Sequence, residues 1–119
     1  MNTEQIVDID HILEQVKEAL STGDFDRAVS LLEPMRPPDQ ASLFEDLEQQ
    51  DQLDLLPRLA PEDSADILEE LEEEDAAEVA VLLAPQSLAR IVDYMEPDEA
   101  ADLLADLETD RAKEILELR

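Results

Sequence analysis

Residues 95–107, Met-Glu-Pro-Asp-Glu-Ala-Ala-Asp-Leu-Leu-Ala-Asp-Leu, continued at 110–116 by Asp-Arg-Ala-Lys-Glu-Ile-Leu, decide how the chain is read. A proline opens this stretch, acids follow it, and apolar residues then recur at helical spacing. The same order of residue types returns every twelve residues. Pro37, Pro61 and Pro85 stand 24 apart, and Pro97 follows Pro85 by 12. Laid out in twelves from Pro37, the seventh residue is Leu43, Leu55, Ile67, Val79, Ile91, Leu103 and Ile115. The eighth is Phe44, Leu56, Leu68, Ala80, Val92, Leu104 and Leu116, and the eleventh runs Leu47, Leu59, Leu71, Leu83, Met95 and Leu107. The fifth is Ala41, Leu53, Ala65, Ala77, Ala89 and Ala101, and an earlier unit fits at Phe25 to Arg36.

Positions 4, 5, 7, 8 and 11 fall on one face of a helix. A single continuous helix is excluded. At about 100° per residue, twelve residues overshoot three turns by about 120°, so the apolar stripe would wind around the axis. Proline at the first position suits a helix start, where its missing N–H costs nothing. Asp39, Asp51, Asp63, Asp75 and Glu99, at the third position, suit the positive end of the helix dipole. Each unit therefore reads as a short helix and a tight connection, stable only when stacked on its neighbours. Pro34 and Pro57 fall late in their units and should end those helices early.

The beginning differs. Ile6, Ile9, Ile12, Leu13, Val16 and Leu20 predict one longer helix from about Glu4 to Leu20, closed by Ser21-Thr22-Gly23-Asp24. No stretch shows the alternation of a half-buried strand. The expected fold is all-α: a superhelix, or α-solenoid, of about eight short helices over residues 25–119, preceded by a longer helix within 1–22, the whole forming one domain.

Composition narrows the function. Of 119 residues, 34 are Asp or Glu and 8 are Lys or Arg, for a formal net charge of −26. Nucleic-acid backbones and anionic membrane surfaces are repelled by such a chain. The apolar share of 44% separates it from a disordered acidic tail. Cysteine is absent and His11 is the sole histidine, so thiol chemistry, His clusters and triads are excluded. No phosphate loop or nucleophile–base pair is present, and no enzyme is expected. The longest apolar run, Val79 to Ala84, is far short of the roughly 20 residues of a spanning helix, and Met1-Asn2-Thr3-Glu4 does not open a signal peptide. A soluble, cytoplasmic chain is expected. Tyr94 and Phe44 read as core or groove packing.

The carboxylates are the remaining chemistry. Mg²⁺ and Ca²⁺ take oxygen ligands, and Mg²⁺ keeps several waters while accepting one or two carboxylates. Asp98 and Asp102, four apart, share a helix face; Glu62, Asp63 and Asp66 cluster similarly; Glu69 to Asp75 form a dense acidic run. First-turn acids and solvated faces account for such clusters equally well. The overall field also concentrates cations and makes docking to a neighbour sensitive to divalent ions.

The unit at 95–107 with its continuation, together with Pro61-Glu-Asp-Ser-Ala-Asp-Ile-Leu-Glu-Glu-Leu and the Gly23-Asp24 opening, resembles the cytoplasmic N domain of MgtE-type magnesium transporters and channels. The similarity runs over roughly residues 8–119. It implies a right-handed superhelix followed by paired CBS domains, a connecting helix and a dimeric pore. In such proteins Mg²⁺ between the N and CBS domains holds a closed arrangement, and its loss lets repelling carboxylates part the two. The positions matching that interface are Asp66, Asp98 and Asp102. Thr109 stands where the family usually has proline. Arg119 lies about where a linker to CBS domains would begin, so the chain reads as one domain of a longer polypeptide or a free-standing relative. The leading reading is a Mg²⁺-sensing regulatory domain whose partners are CBS domains of its own, homodimeric, polypeptide. The alternatives are an acidic solenoid adaptor for a protein partner, resembling the flagellar motor-switch proteins, and an acidic decoy for a basic surface.

Overall fold

A computed structural model describes residues 8–119. Among these the secondary structure is wholly helical: α1 Ile9–Ser21, α2 Phe25–Leu32, α3 Pro37–Glu45, α4 Gln49–Leu55, α5 Pro61–Glu70, α6 Glu73–Ala80, α7 Pro85–Val92, α8 Pro97–Ala105 and α9 Thr109–Leu118. The helices after α1 begin at 25, 37, 49, 61, 73, 85, 97 and 109, in step with the twelve-residue unit throughout. Thr109 starts its helix without the proline. α4 is the shortest helix and passes into a 3₁₀ turn, Leu56–Arg58, that contains Pro57. α2 stops at Leu32, ahead of Pro34.

Each boundary has a local cause. Before Pro37, Pro61, Pro85 and Pro97, the residues Arg36, Ala60, Ala84 and Glu96 have ψ of 152, 140, 140 and 142°. Proline disfavours helical backbone in the residue before it. At the other end a turn takes the N–H of position 11 back to the carbonyl of position 8, as in Leu47 to Phe44, Leu83 to Ala80, Met95 to Val92 and Leu107 to Leu104, or of position 7, as in Leu59 to Leu55 and Leu71 to Ile67. That turn folds the position-11 side chain inward, and all six from Leu47 to Leu107 are buried. α1 ends in a Schellman motif: Asp24 N–H donates to Ala19 carbonyl at 2.8 Å and Gly23 N–H to Leu20 carbonyl at 3.1 Å. Gly23 has φ 78°, the left-handed value this motif needs. Asp24 then caps α2, its side chain accepting from Arg27 N–H.

α1 begins later than the apolar stripe predicts. Asp8 is non-helical, with φ −90° and ψ 88°, and accepts the His11 N–H as an N-cap. Residues 4–7, including Ile6, lie outside the described residues.

Packing joins each helix to the next but one. α1, α3, α5, α7 and α9 contact in sequence along one row, and α2, α4, α6 and α8 along another. The molecule is elongated, 51 × 30 × 20 Å. Every position-7 residue from Leu43 to Ile115 is buried, each such side chain contributing about 1.5–3 kcal/mol. The expected apolar face fades most at the ends of the two rows, with Leu53 and Ala77 partly exposed in between. Ala101 on α8 is exposed, Leu104 is partly exposed and Leu116 on α9 is 50% exposed, whereas Ala65, Leu68, Ala89 and Val92 at equivalent positions are covered. No described helix lies against those surfaces from beyond. Phe44 is fully buried, as expected, but Tyr94 is 56% exposed. α7 has ended by Val92, and the Tyr94 N–H to Ile91 carbonyl turn leaves its ring outside the core.

Position 4 satisfies the backbone that the turns leave open. Gln40 Nε2 donates to Leu32 carbonyl at 2.8 Å, Gln52 Nε2 to Phe44 carbonyl at 2.8 Å, and Ser64 Oγ to Leu56 carbonyl at 2.6 Å. In each case the acceptor is position 8 of the preceding unit. Later units carry Ala76, Leu88, Ala100 and Ala112 there, and Arg111 from α9 instead reaches the Ala80 and Leu83 carbonyls. Ser64→Ala should therefore cost about 1–3 kcal/mol, because it orphans a buried carbonyl. Ser42→Ala, on the exposed face of α3, should stay within about 0.5 kcal/mol; urea unfolding of both variants compares them.

Candidate functional site

The three carboxylates of interest sit on two helices that meet. Asp66 is on α5, half-buried, with Glu62 one turn before it and Glu69 one turn after. Burial raises its carboxyl above the usual aspartate value, and the Glu69 and Glu62 charges raise it further. Asp63 is raised by burial and then by Asp66 and Glu62. Asp51 on α4 is raised by burial and by Glu48 and Asp54, against a smaller opposing pull from Lys17. Asp98 and Asp102, both exposed, lie one turn apart on α8. With Ala101 beside them, they belong to the uncovered end of the second row, where small residues leave the backbone approachable.

The structure brings Asp102, but not Asp98, to a cavity of about 30 Å³ between α5, α6 and α8. Its polar lining is Glu69, Glu73, Glu99 and Asp102, over an apolar floor that includes Leu71, Met95 and Leu103. Glu69 also accepts the Glu96 backbone N–H at 2.6 Å, tying α5 to the start of α8. Asp66 therefore stands one helical turn from a residue that touches α8.

The acidic run from Glu69 to Asp75 is not one turn of helix. Glu69 and Glu70 end α5, Leu71 turns inward as a buried residue, and Glu73, Glu74 and Asp75 open α6. The special place of Glu69 within that run was hidden from spacing by the surrounding glutamates. A faint trace exists, since Glu45, Glu69 and Asp93 recur 24 apart at position 9.

Cationic side chains do little to neutralise this region. Among the described residues, ion pairs form between Arg27 and Glu18 at 3.8 Å and between Arg119 and Asp93 at 2.6 Å. Arg58 lies over the Phe25 ring at 3.8 Å. His11 is exposed, with Nε2 3.2 Å from Gln15 Nε2.

Among the described residues, no three of His, Cys, Asp and Glu converge closely enough to hold a metal ion. The donor set still suits Mg²⁺ in one respect: a hydrated magnesium needs only one or two carboxylates from a given surface. Asp98 and Asp102 are a pair of carboxylates one turn apart on an open face. No helix among the described residues is long and apolar enough to cross a membrane.

Short helices in twelve-residue register, two interleaved rows and an acidic surface define a helical-repeat domain. A family model described as the MgtE intracellular N domain matches residues 35–118, and the chain belongs to that family. α1 and α2 precede the matched stretch. The family is one of transporter domains and not of enzymes. A search of curated proteins found no match. Among solved structures, the chain is similar to one described as the crystal structure of the soluble part of a magnesium transporter, with 18% identity and a TM-score of 0.48. The likeness covers 94% of this chain and 50% of that one, so the chain spans half the length of that relative.

Protonation should stabilise this surface. Burial and neighbouring carboxylates hold the folded-state carboxyls of Asp51, Asp63 and Asp66 above the ordinary aspartate value, so in the carboxylate range the folded state binds more protons than the unfolded. Stability then falls as pH rises through that range and is regained on acidification. The melting temperature should be higher at about pH 4 than at pH 7, with Asp66→Asn raising the pH 7 value and flattening the slope. A thermal melt series across that window checks both.

Proposed function

We propose that this chain is the cytoplasmic regulatory domain of a magnesium transporter or channel, and that it senses intracellular Mg²⁺ through Asp66, Asp98 and Asp102. The observation that carries the reading is the family match over residues 35–118. The outward placing of Asp98 and Asp102 on α8, away from any basic partner, supports it.

In this reading the carboxylates form half-sites completed by CBS domains of the same polypeptide. Without a divalent cation, acids on both surfaces repel, and at −26 the whole domain adds to that repulsion. Mg²⁺ accepts oxygens from each side through carboxylates and bound waters, so attraction replaces repulsion and the domain docks. The free energy available for closing the pore is the difference in Mg²⁺ affinity between docked and undocked states. The full-length protein is a homodimer in this reading, with the present domain on the cytoplasmic side of the membrane.

A second reading, an adaptor that captures a protein partner, draws on exposed Val81, Leu82, Tyr94, Leu116 and Leu118. An NMR titration with Mg²⁺ at constant ionic strength separates the two. The sensor reading expects saturable shifts confined to the neighbourhood of Asp66, Asp98 and Asp102, lost in Asp98→Ala/Asp102→Ala. Small shifts spread evenly over all acidic residues would mean screening alone and would favour the adaptor.

A further inference from the structure

Glu69 stands apart from the other acids on its helix. It is the last-turn carboxylate of α5, yet its Oε2 accepts the backbone N–H of Glu96, 27 residues later, at 2.6 Å. Glu96 is the N-cap of α8, and no side chain of its own makes a capping bond to that helix. The Glu69 charge therefore meets the positive end of the α8 dipole and a free backbone donor together. The same carboxylate lines the cavity that Asp102 also lines.

The position recurs. Glu45, 24 residues earlier in α3, lines a cavity of about 230 Å³ with Leu71 and Asp75, where α6 begins. Asp93, 24 residues later at the end of α7, is held by Arg119 Nε at 2.6 Å. Each of these acids stands at the end of a first-row helix, and Glu69 and Asp93 bond to chain 27 and 26 residues ahead. Of the three, Glu69 makes the bond that joins the first row to the second; Asp93 joins α7 to the end of α9 within the first row.

We propose that Glu69 is a positioning residue for the carboxylate surface: by accepting the Glu96 N–H it locks the start of α8 onto α5. Asp66 and the Asp98–Asp102 pair then present one rigid face to a divalent cation. The proposal rests on the Mg²⁺ reading above for its functional half. Glu69 does this as a hydrogen-bond acceptor, so an amide at the same place should serve. Neighbouring Asp66, Glu73, Glu99 and Asp102 push outward against the link, and a cation that screens them relieves that load.

The test uses the 119-residue chain as wild type, Glu69→Ala and Glu69→Gln. Amide hydrogen exchange at Glu96 is read without metal, and an NMR titration with MgCl₂ follows residues 66, 98 and 102. In Glu69→Ala, Glu96 exchange should quicken roughly tenfold, the loss of one hydrogen bond, and the Asp66 and Asp98–Asp102 midpoints should separate. Glu69→Gln should keep Glu96 protected and the midpoints together. Unchanged Glu96 exchange in Glu69→Ala overturns the proposal. So does a Glu69→Gln variant that loses as much as Glu69→Ala, because Glu69 would then act through its charge. If exchange follows the expected pattern while wild type shows no saturable Mg²⁺ shift, the link between α5 and α8 is upheld and the metal reading fails instead.

Discussion

Twelve residues make three and a third turns of helix, and the chain cannot keep one face on a core without stopping after each unit. The stops are supplied by proline and by the turn from position 11 back to position 8 or 7. What remains are helices of seven to ten residues after α1. Isolated helices that short do not hold in water. Burial of the seventh residue against the next-but-one helix is therefore the interaction on which everything else depends. Leu43, Leu55, Ile67, Val79, Ile91, Leu103 and Ile115 are the beads of that string.

A core drawn from Leu, Ala, Ile and Val along a thin rod frees the surface for charge. The first-turn acids are locally favourable, because each faces a helix N-terminus. Collectively they repel, and few cationic side chains oppose them; several arginines are committed to structural duties. Arg111 satisfies the Ala80 and Leu83 carbonyls and Arg58 covers Phe25. The fold thus holds a surface that is electrostatically unfinished. A cation or a basic surface would complete it, and the proposed function takes the cation.

The register of the repeat was open to reading because proline, the third-position acid and the seventh-position aliphatic all change together every twelve residues. Three features were not. The interleaving into two rows arises from how 120° phase steps close in space, and only the 24-residue proline spacing hints at it. Tyr94 and Leu116 look apolar enough for the core, but a tight turn and the end of a row leave them outside. The late start of α1 depends on Asp8 taking the His11 N–H, one local bond against an otherwise continuous stripe. At the candidate site, the choice of Asp98 and Asp102 as metal ligands came only from the resemblance, while their shared helix face was legible from i, i+4 spacing. The link through Glu69 was not, since nothing in a run of glutamates marks the one that reaches another helix.

The account holds that specific carboxylate repulsion, and not general charge, is what a divalent cation acts on. The most direct measurement is the urea-unfolding free energy in MgCl₂ and in NaCl at matched ionic strength, for wild type and for Asp66→Asn/Asp98→Asn/Asp102→Asn. The account predicts that Mg²⁺ stabilises wild type beyond Na⁺, because binding to the folded state adds to its stability, and that the triple variant loses the difference. Equal stabilisation by the two salts, or a Mg²⁺ advantage that survives in the triple variant, would contradict it.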